Sequence, residues 1–196
     1  MRKVFYGWYI TIACCVGLAC GLTSVLTGTF SIFLGPLTAA FGWQKSELFV
    51  ALTLATITVT VASPFIGVLI DRFGAKRMIL IGFVLEGAVL ASFAMQTASL
   101  AALYARYIVM TLVGLGTTHV SFARVISLWF DRQRGLALGV ALAGLGVGGM
   151  VWPVLSQWAI SAYGWRTAYL IVTAVVTAVG FLAIAIVVRE SPAVMG

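Results

Sequence analysis

Long apolar stretches separated by short charged ones make up most of the chain. No Asp, Glu, Lys or Arg lies between Lys3 and Lys45, from Leu48 to Ile70, from Gly135 to Trp165, or from Thr167 to Val188. A helix needs about 20 apolar residues to cross the hydrocarbon core of a bilayer, so each run is long enough. Met78 to Phe130 holds three charged residues, Glu86, Arg106 and Arg124, and accommodates two more spans. The pattern predicts six helices: Tyr6 to Leu34, Glu47 to Ile70, Arg77 to Gln96, Ser99 to Leu128, Gly135 to Ser161 and Trp165 to Val188. These runs lack the period-2 alternation and roughly 10-residue spacing of a β-barrel, so the expected class is all-α, a polytopic membrane protein. The first run exceeds the roughly 7 to 15 apolar residues of a cleavable signal peptide.

Composition agrees with a lipid solvent: 62% of the 196 residues are hydrophobic and 9% charged, against roughly 25% charged in an ordinary soluble domain. Six crossings put both termini on one side. If that side is cytoplasmic it receives Arg2, Lys3, Arg72, Lys76, Arg77, Arg132, Arg134 and Arg189, with Arg124 close by, leaving Lys45, Arg106 and Arg166 towards the other face. That asymmetry predicts a multi-pass protein of the plasma (inner) membrane with both termini cytoplasmic. The net charge of +7 then reflects basic loops on anionic lipid, and no Lys/Arg-rich run points to nucleic acid. Trp8, Tyr9, Trp43, Trp129, Tyr163 and Trp165 fall near span ends, as an aromatic belt requires. Cys14, Cys15 and Cys20 share the first span with no metal-ligand spacing, and read as small apolar packing groups.

Charge gathers in one short connection, "GVLIDRFGAKR" at residues 67–77. Gly74 permits a tight turn, Asp71 offsets the neighbouring bases or a helix N-terminus, and Arg72, Lys76 and Arg77 would hold the loop at the headgroups. The order of residues resembles the signature of the major facilitator superfamily, Gly-x-x-x-Asp-Arg-x-Gly-x-Arg/Lys-Arg, between helices two and three. Gly67, Asp71, Arg72, Gly74, Lys76 and Arg77 match every position. "WFDRQRGLALGVALAGLGVGG" at 129–149 is similar to the start of helix five in the monocarboxylate porter and oxalate/formate antiporter branch, and "FGW" at 41–43 and "YGWR" at 163–166 suit its external loops.

The resemblance implies one half of a twelve-helix fold. Residues 1–190 are expected to form the N-terminal six-helix bundle, and "RESPAVMG" at 189–196 resembles the start of the central cytoplasmic linker, assigned to 191–196. The chain thus reads as a truncated sequence. By family analogy the solute is a small organic anion such as a monocarboxylate, moved by symport or antiport through alternating access, with no cofactor. One half offers one wall of the midplane site. It would need the missing C-terminal half or a second copy; a non-transporting membrane protein is the alternative. Two inverted three-helix units are expected at about 1–97 and 98–196, without a residue-level repeat.

Several side chains are candidates for the site. Cys20, Ser24, Thr27 and Ser31 share one helical face, and Thr53, Thr56, Thr60 and Ser63 form a similar row in span two; each row is either helix packing or a polar cavity wall. Because the resemblance implies that helices one and four line the cavity, Ser24 and Thr27 are substrate-binding candidates. The glycines of span five, ending at Pro153, suit close packing and a bend rather than a phosphate loop. Glu86 and His119 both fall about 13 Å from the cytoplasmic boundary, close enough to meet and exchange a proton with each other or with solute. The contrasting reading leaves Glu86 bonded within the bundle and His119 on a Thr or backbone carbonyl. Arg124 either binds a carboxylate substrate or pairs with Asp71 or Asp131 in the cytoplasmic switch loop. An intramembrane enzyme would need a nucleophile with its base or a metal cluster, and the single His has no such partner in the sequence.

Overall fold

The computed structural model describes residues 5–188. Arg2, Lys3, Arg189 and the linker assigned to 191–196 lie outside the described residues. Those described are helical and contain no strand: α1 (Tyr6–Cys20), α2 (Leu22–Phe41), α3 (Lys45–Phe73), α4 (Ala75–Ser92), α5 (Leu100–Gly114), α6 (His119–Trp129) and α7 (Arg134–Val187), with single 3-10 turns at Phe93–Met95 and Leu115–Thr117. Five stretches are long and apolar enough to cross a membrane: Tyr6–Phe41, Lys45–Phe73, Ala75–Met95, Leu100–Trp129 and Arg134–Val187. The last has 54 residues and a break at Gly164, whose φ of 78° and ψ of 164° are not helical.

The first span differs from expectation in two ways. It continues to Phe41, beyond the predicted end at Leu34, where Gly42 at φ 71° caps it. It is also interrupted at Gly21, which is extended at φ −75° and ψ 166°. The sequence carries no proline there, and the cause is a close approach: a Cβ on Gly21 would stand 2.4 Å from the Thr117 carbonyl oxygen. Thr117 closes the 3-10 turn that interrupts the fourth span, so the breaks in spans one and four touch. The Leu22 N–H crosses between them to the Thr117 hydroxyl at 3.0 Å.

Glycine permits the tightest helix contact as well. Cβ atoms on Gly144 and Gly148 would fall 2.0 Å and 2.4 Å from the carbonyl oxygens of Cys15 and Ala19, so α7 lies backbone to backbone on α1. Lipid is as apolar as a side chain, so such packing, rather than escape from water, drives helix association. Trp152 adds a hydrogen bond from Nε1 to the Ala19 carbonyl at 2.6 Å, one of the carbonyls that the end of α1 leaves without a helical partner. On α1, Cys14 and Cys20 are buried and Cys15 is half-buried, all as free thiols.

A repeat absent from the residue identities is present in the backbone. Pro64 lies 19 residues beyond the start of α3 at Lys45, and Pro153 lies 19 beyond the start of α7 at Arg134. Each helix ends at a glycine with positive φ, Gly74 (87°) and Gly164 (78°), and a new helix begins at the next residue. Those following segments, α4 and residues 165–187, run antiparallel: Gly87 faces Thr177, and Gly180 faces Phe83. Their ends are capped reciprocally. Lys76, two residues after Gly74, donates to the Ala185 carbonyl at 3.2 Å, and Arg166, two after Gly164, donates to the Gln96 carbonyl at 3.3 Å.

Aromatic rings fill the far side of the bundle. Tyr169 stacks on Phe33 with centroids 3.8 Å apart and meets Phe93, which contacts Tyr107 edge-on at 5.1 Å. Two of the aromatics expected in an aromatic belt are buried in ring packing instead: Trp43 (7% exposed) stacks on Phe41, and Trp129 (6%), in a separate cluster, lies against Tyr6 and Phe5.

The close approach of α7 to α1 makes Gly144→Ala destabilising by about 1–3 kcal/mol through overpacking. Gly139→Ala, with nothing within 4 Å of its Cβ position, is expected to stay within about 0.5 kcal/mol. Thermal unfolding of the detergent-solubilised variants checks this, and equal midpoints would contradict the packing.

Candidate functional site

Spans one and two enclose an open groove of about 190 Å³ between α2 and α3, with Thr23, Thr27, Thr56 and Thr60 set among Leu22, Leu26, Leu52, Ala55 and Val59. Three of the hydroxyls donate to carbonyls one turn earlier: Thr27 to Thr23 at 2.7 Å, Thr56 to Leu52 at 2.9 Å and Thr60 to Thr56 at 2.9 Å. With their protons engaged, these groups offer methyls and acceptor lone pairs. The groove therefore accepts an apolar body and hydrogen-bond donors, and among the described residues no charged side chain lines it.

Ser24 does not share this surface. The row expected on one face divides: Cys20 (4% exposed) and Ser24 (2%) turn inward, while Thr27 and Ser31 are exposed. The Ser24 hydroxyl donates to the Leu18 carbonyl at 2.8 Å and its Cβ packs against Gly148, so it fastens the bend at Gly21. Ser24 and Thr27 lie three residues apart on α2, and α7 covers the side that carries Ser24 while the side that carries Thr27 stays open.

Glu86 and His119 are not brought together. Glu86 is wholly buried on α4, with Oε2 2.7 Å from the Thr117 hydroxyl and Oε1 without a partner. His119 begins α6 on an exposed face, and no hydrogen bond or ion pair joins the two among the described residues. The turn at 115–117 separates them, since it directs Thr117 inward and His119 outward.

Midway along α6, Arg124 Nη2 stands 3.2 Å from Asp71 Oδ1, with side chains 55% and 68% exposed; this is the one ion pair among the described residues. The pair borders a cavity of about 190 Å³ that also contacts Gly74, Ala75 and Lys76. Gly74 supplies the turn at φ 87°, Gly67 is half-buried with open space at its Cβ position, and the Arg72 guanidinium lies over the Phe73 ring at 5.4 Å. Arg77 is exposed. Lys76 departs from the headgroup role, because its ammonium caps α7 at Ala185, where the helix dipole favours a cation. Asp131 is outside this cluster, in a separate groove beside Trp8, Trp129 and Phe130.

One polar centre was missed by sequence reasoning. Gln96, 1% exposed, accepts from Arg106 at Oε1 and from Arg166 at its carbonyl, and its Nε2 donates to the Thr97 and Ser99 carbonyls. Arg106 in an apolar span was the available signal, since a guanidinium there requires a partner.

The sequence model of the Major Facilitator Superfamily matches residues 7–195. Monocarboxylate transporter 13 of Bos taurus is 29% identical over 97% of this chain and 45% of the relative. Monocarboxylate transporter 3 of Mus musculus is 31% identical over 85% of this chain and 33% of the relative. An uncharacterized MFS-type transporter of Bacillus subtilis, YcxA, is 30% identical over 88% and 42%. The chain spans less than half the length of these relatives.

The two polar clusters differ in burial, and so in energetic weight. Asp71→Asn removes an exposed ion pair and is expected to cost less than about 1 kcal/mol. Gln96→Leu strips the Arg106 guanidinium of a buried partner and is expected to cost about 1.5–3 kcal/mol. Thermal midpoints of the two variants measure the difference; the reverse order would contradict it.

Proposed function

Because the chain belongs to the major facilitator superfamily, we propose that it forms the six-crossing N-terminal wall of a secondary transporter for a small organic anion such as a monocarboxylate. A straight 54-residue helix would be about 81 Å long, far beyond the roughly 30 Å hydrocarbon thickness. The break at Gly164 supports two crossings there and hence six in all, with residues 1–190 as the bundle, 191–196 as the start of a linker, and both termini in the cytoplasm.

The observation that carries the solute assignment is the threonine-lined groove between α2 and α3. Its methyls suit the short apolar body of a monocarboxylate, with Thr27 among the contacts. Since no cation lines the groove, the carboxylate takes its counter-charge from a facing C-terminal half or second copy, with exposed His119 as a further polar contact. Arg124 and Asp71, with Gly67, Arg72, Gly74, Lys76, Arg77 and Asp131, act in the cytoplasmic loop region. Their exposed ion pair closes that side and opens as the halves rock in alternating access. The names of the monocarboxylate transporter relatives support the same substrate class.

Reconstitution with a C-terminal half and uptake of labelled monocarboxylates tests this reading. Thr27→Leu and Thr60→Leu are expected to raise KM about tenfold, as a crowded pocket weakens binding, while Thr53→Leu, outside the groove, leaves it unchanged. Uptake indifferent to all three substitutions, or none of any monocarboxylate, would overturn the proposal.

A further inference from the structure

We propose that Glu86 is a proton-binding site: its carboxyl is held in the neutral acid form as a clasp across the two broken helices, and it gives up that proton when the breaks separate during transport. The clasp stands on geometry alone; the release step rests on the transport reading above.

The protons around one hydroxyl decide the state of Glu86. Thr117 Oγ1 lies 2.7 Å from Glu86 Oε2, 2.8 Å from the Gly114 carbonyl oxygen and 3.0 Å from the Leu22 nitrogen. A hydroxyl has one proton to donate and two lone pairs to accept with. The Leu22 N–H occupies one lone pair. If Glu86 were ionised, two acceptors would compete for the single hydroxyl proton and the second lone pair would face a bare oxygen. With Glu86 protonated, the acid donates to Thr117, Thr117 donates to Gly114, and Leu22 donates to Thr117, so each proton at this hydroxyl meets one acceptor.

The surroundings favour the same state. Glu86 is 0% exposed and its Oε1 has no partner, so a carboxylate here would carry its charge with at most one hydrogen bond, at high cost in a dry interior. No cation compensates it: the ion pair among the described residues is Arg124 with Asp71. From α1 the neighbouring titratable group is the Cys20 thiol. The α5–α6 turn contributes the Thr117 hydroxyl while His119 faces outward, and α7 places the Thr177 hydroxyl over Gly87.

The clasp joins three elements through one oxygen: α4 by Glu86, the turn between α5 and α6 by Thr117, and the start of α2 by Leu22. Proton loss leaves a carboxylate, so it requires water at the breaks and therefore their separation. Each opening delivers one proton from the carboxyl to that water, and closure takes one back.

Infrared spectroscopy of the chain in lipid bilayers tests the clasp. At neutral pH the wild type is expected to show a protonated-carboxyl stretch that Glu86→Gln removes, the glutamine amide replacing the acid as donor. Thr117→Val is expected to shift that band without abolishing it, which covers the case of a poorly folded Glu86→Gln. A wild type lacking the band at neutral pH, or a band unchanged in both variants, would overturn the site. In liposomes with a C-terminal half, wild-type solute uptake is expected to follow an imposed pH gradient, and Glu86→Gln to lose that dependence while still exchanging solute. Uptake that ignores the pH gradient in the wild type, or follows a sodium gradient, would overturn the release step. Absence of solute uptake in the wild type would refute transport, and the release step with it, leaving the infrared result to decide the clasp by itself.

Discussion

Backbone groups inside a bilayer have no water to turn to, and every departure from the helical ladder must be repaired by the protein itself. The breaks in spans one and four are where this constraint acts most strongly. Freed donors and acceptors there are met one by one: the Leu22 N–H by Thr117, the Ala19 carbonyl by Trp152, and the Leu18 carbonyl by the Gly21 N–H and the Ser24 hydroxyl. Each repair comes from a different element, so the breaks also fix how α1, α2, the α5–α6 turn and α7 sit together.

The glycines follow from the same constraint. Where backbones must approach closely enough to repair one another, a Cβ is excluded, as at Gly21 against Thr117 and at Gly144 and Gly148 against α1. Gly135, Gly139, Gly146 and Gly149 share the same helix yet have nothing within 4 Å of their Cβ positions. A glycine count alone does not separate those two groups; the three-residue and four-residue spacing to the buried face does.

The sequence made lipid-embedded helices and the 67–77 loop legible, because both depend on local composition and order. The break after the fifth predicted span was legible from Tyr163 to Arg166, where aromatic and basic residues surround a glycine. The bend at Gly21 was not, since it depends on Thr117, distant in the chain, and nothing near Gly21 departs from helical preference except one glycine among many. Ser24 and Thr27, assigned one face from their spacing, both follow the bend on α2, and they separate into a buried clamp and a groove wall because α7 covers the Ser24 side of the helix and leaves the Thr27 side open. Glu86 and His119 failed to meet for a related reason: depth along a helix was readable, but the 3-10 turn that rotates one away from the other was not. The Arg124 and Asp71 contact was among the expected alternatives because both residues lie at span ends, where short loops limit the available partners.

The reciprocal caps on α4 and residues 165–187 bear on biogenesis. Lys76 finds its carbonyl at Ala185, 109 residues later, and Gln96 waits 70 residues for Arg166. During synthesis, α4 leaves the ribosome with neither of these end contacts available, and its basic start must remain at the aqueous boundary of the insertion machinery until residues 165–187 emerge. Residues 165–187 are therefore the segment that completes α4, and a nascent chain halted before residue 166 would present an unfinished helix pair to quality control.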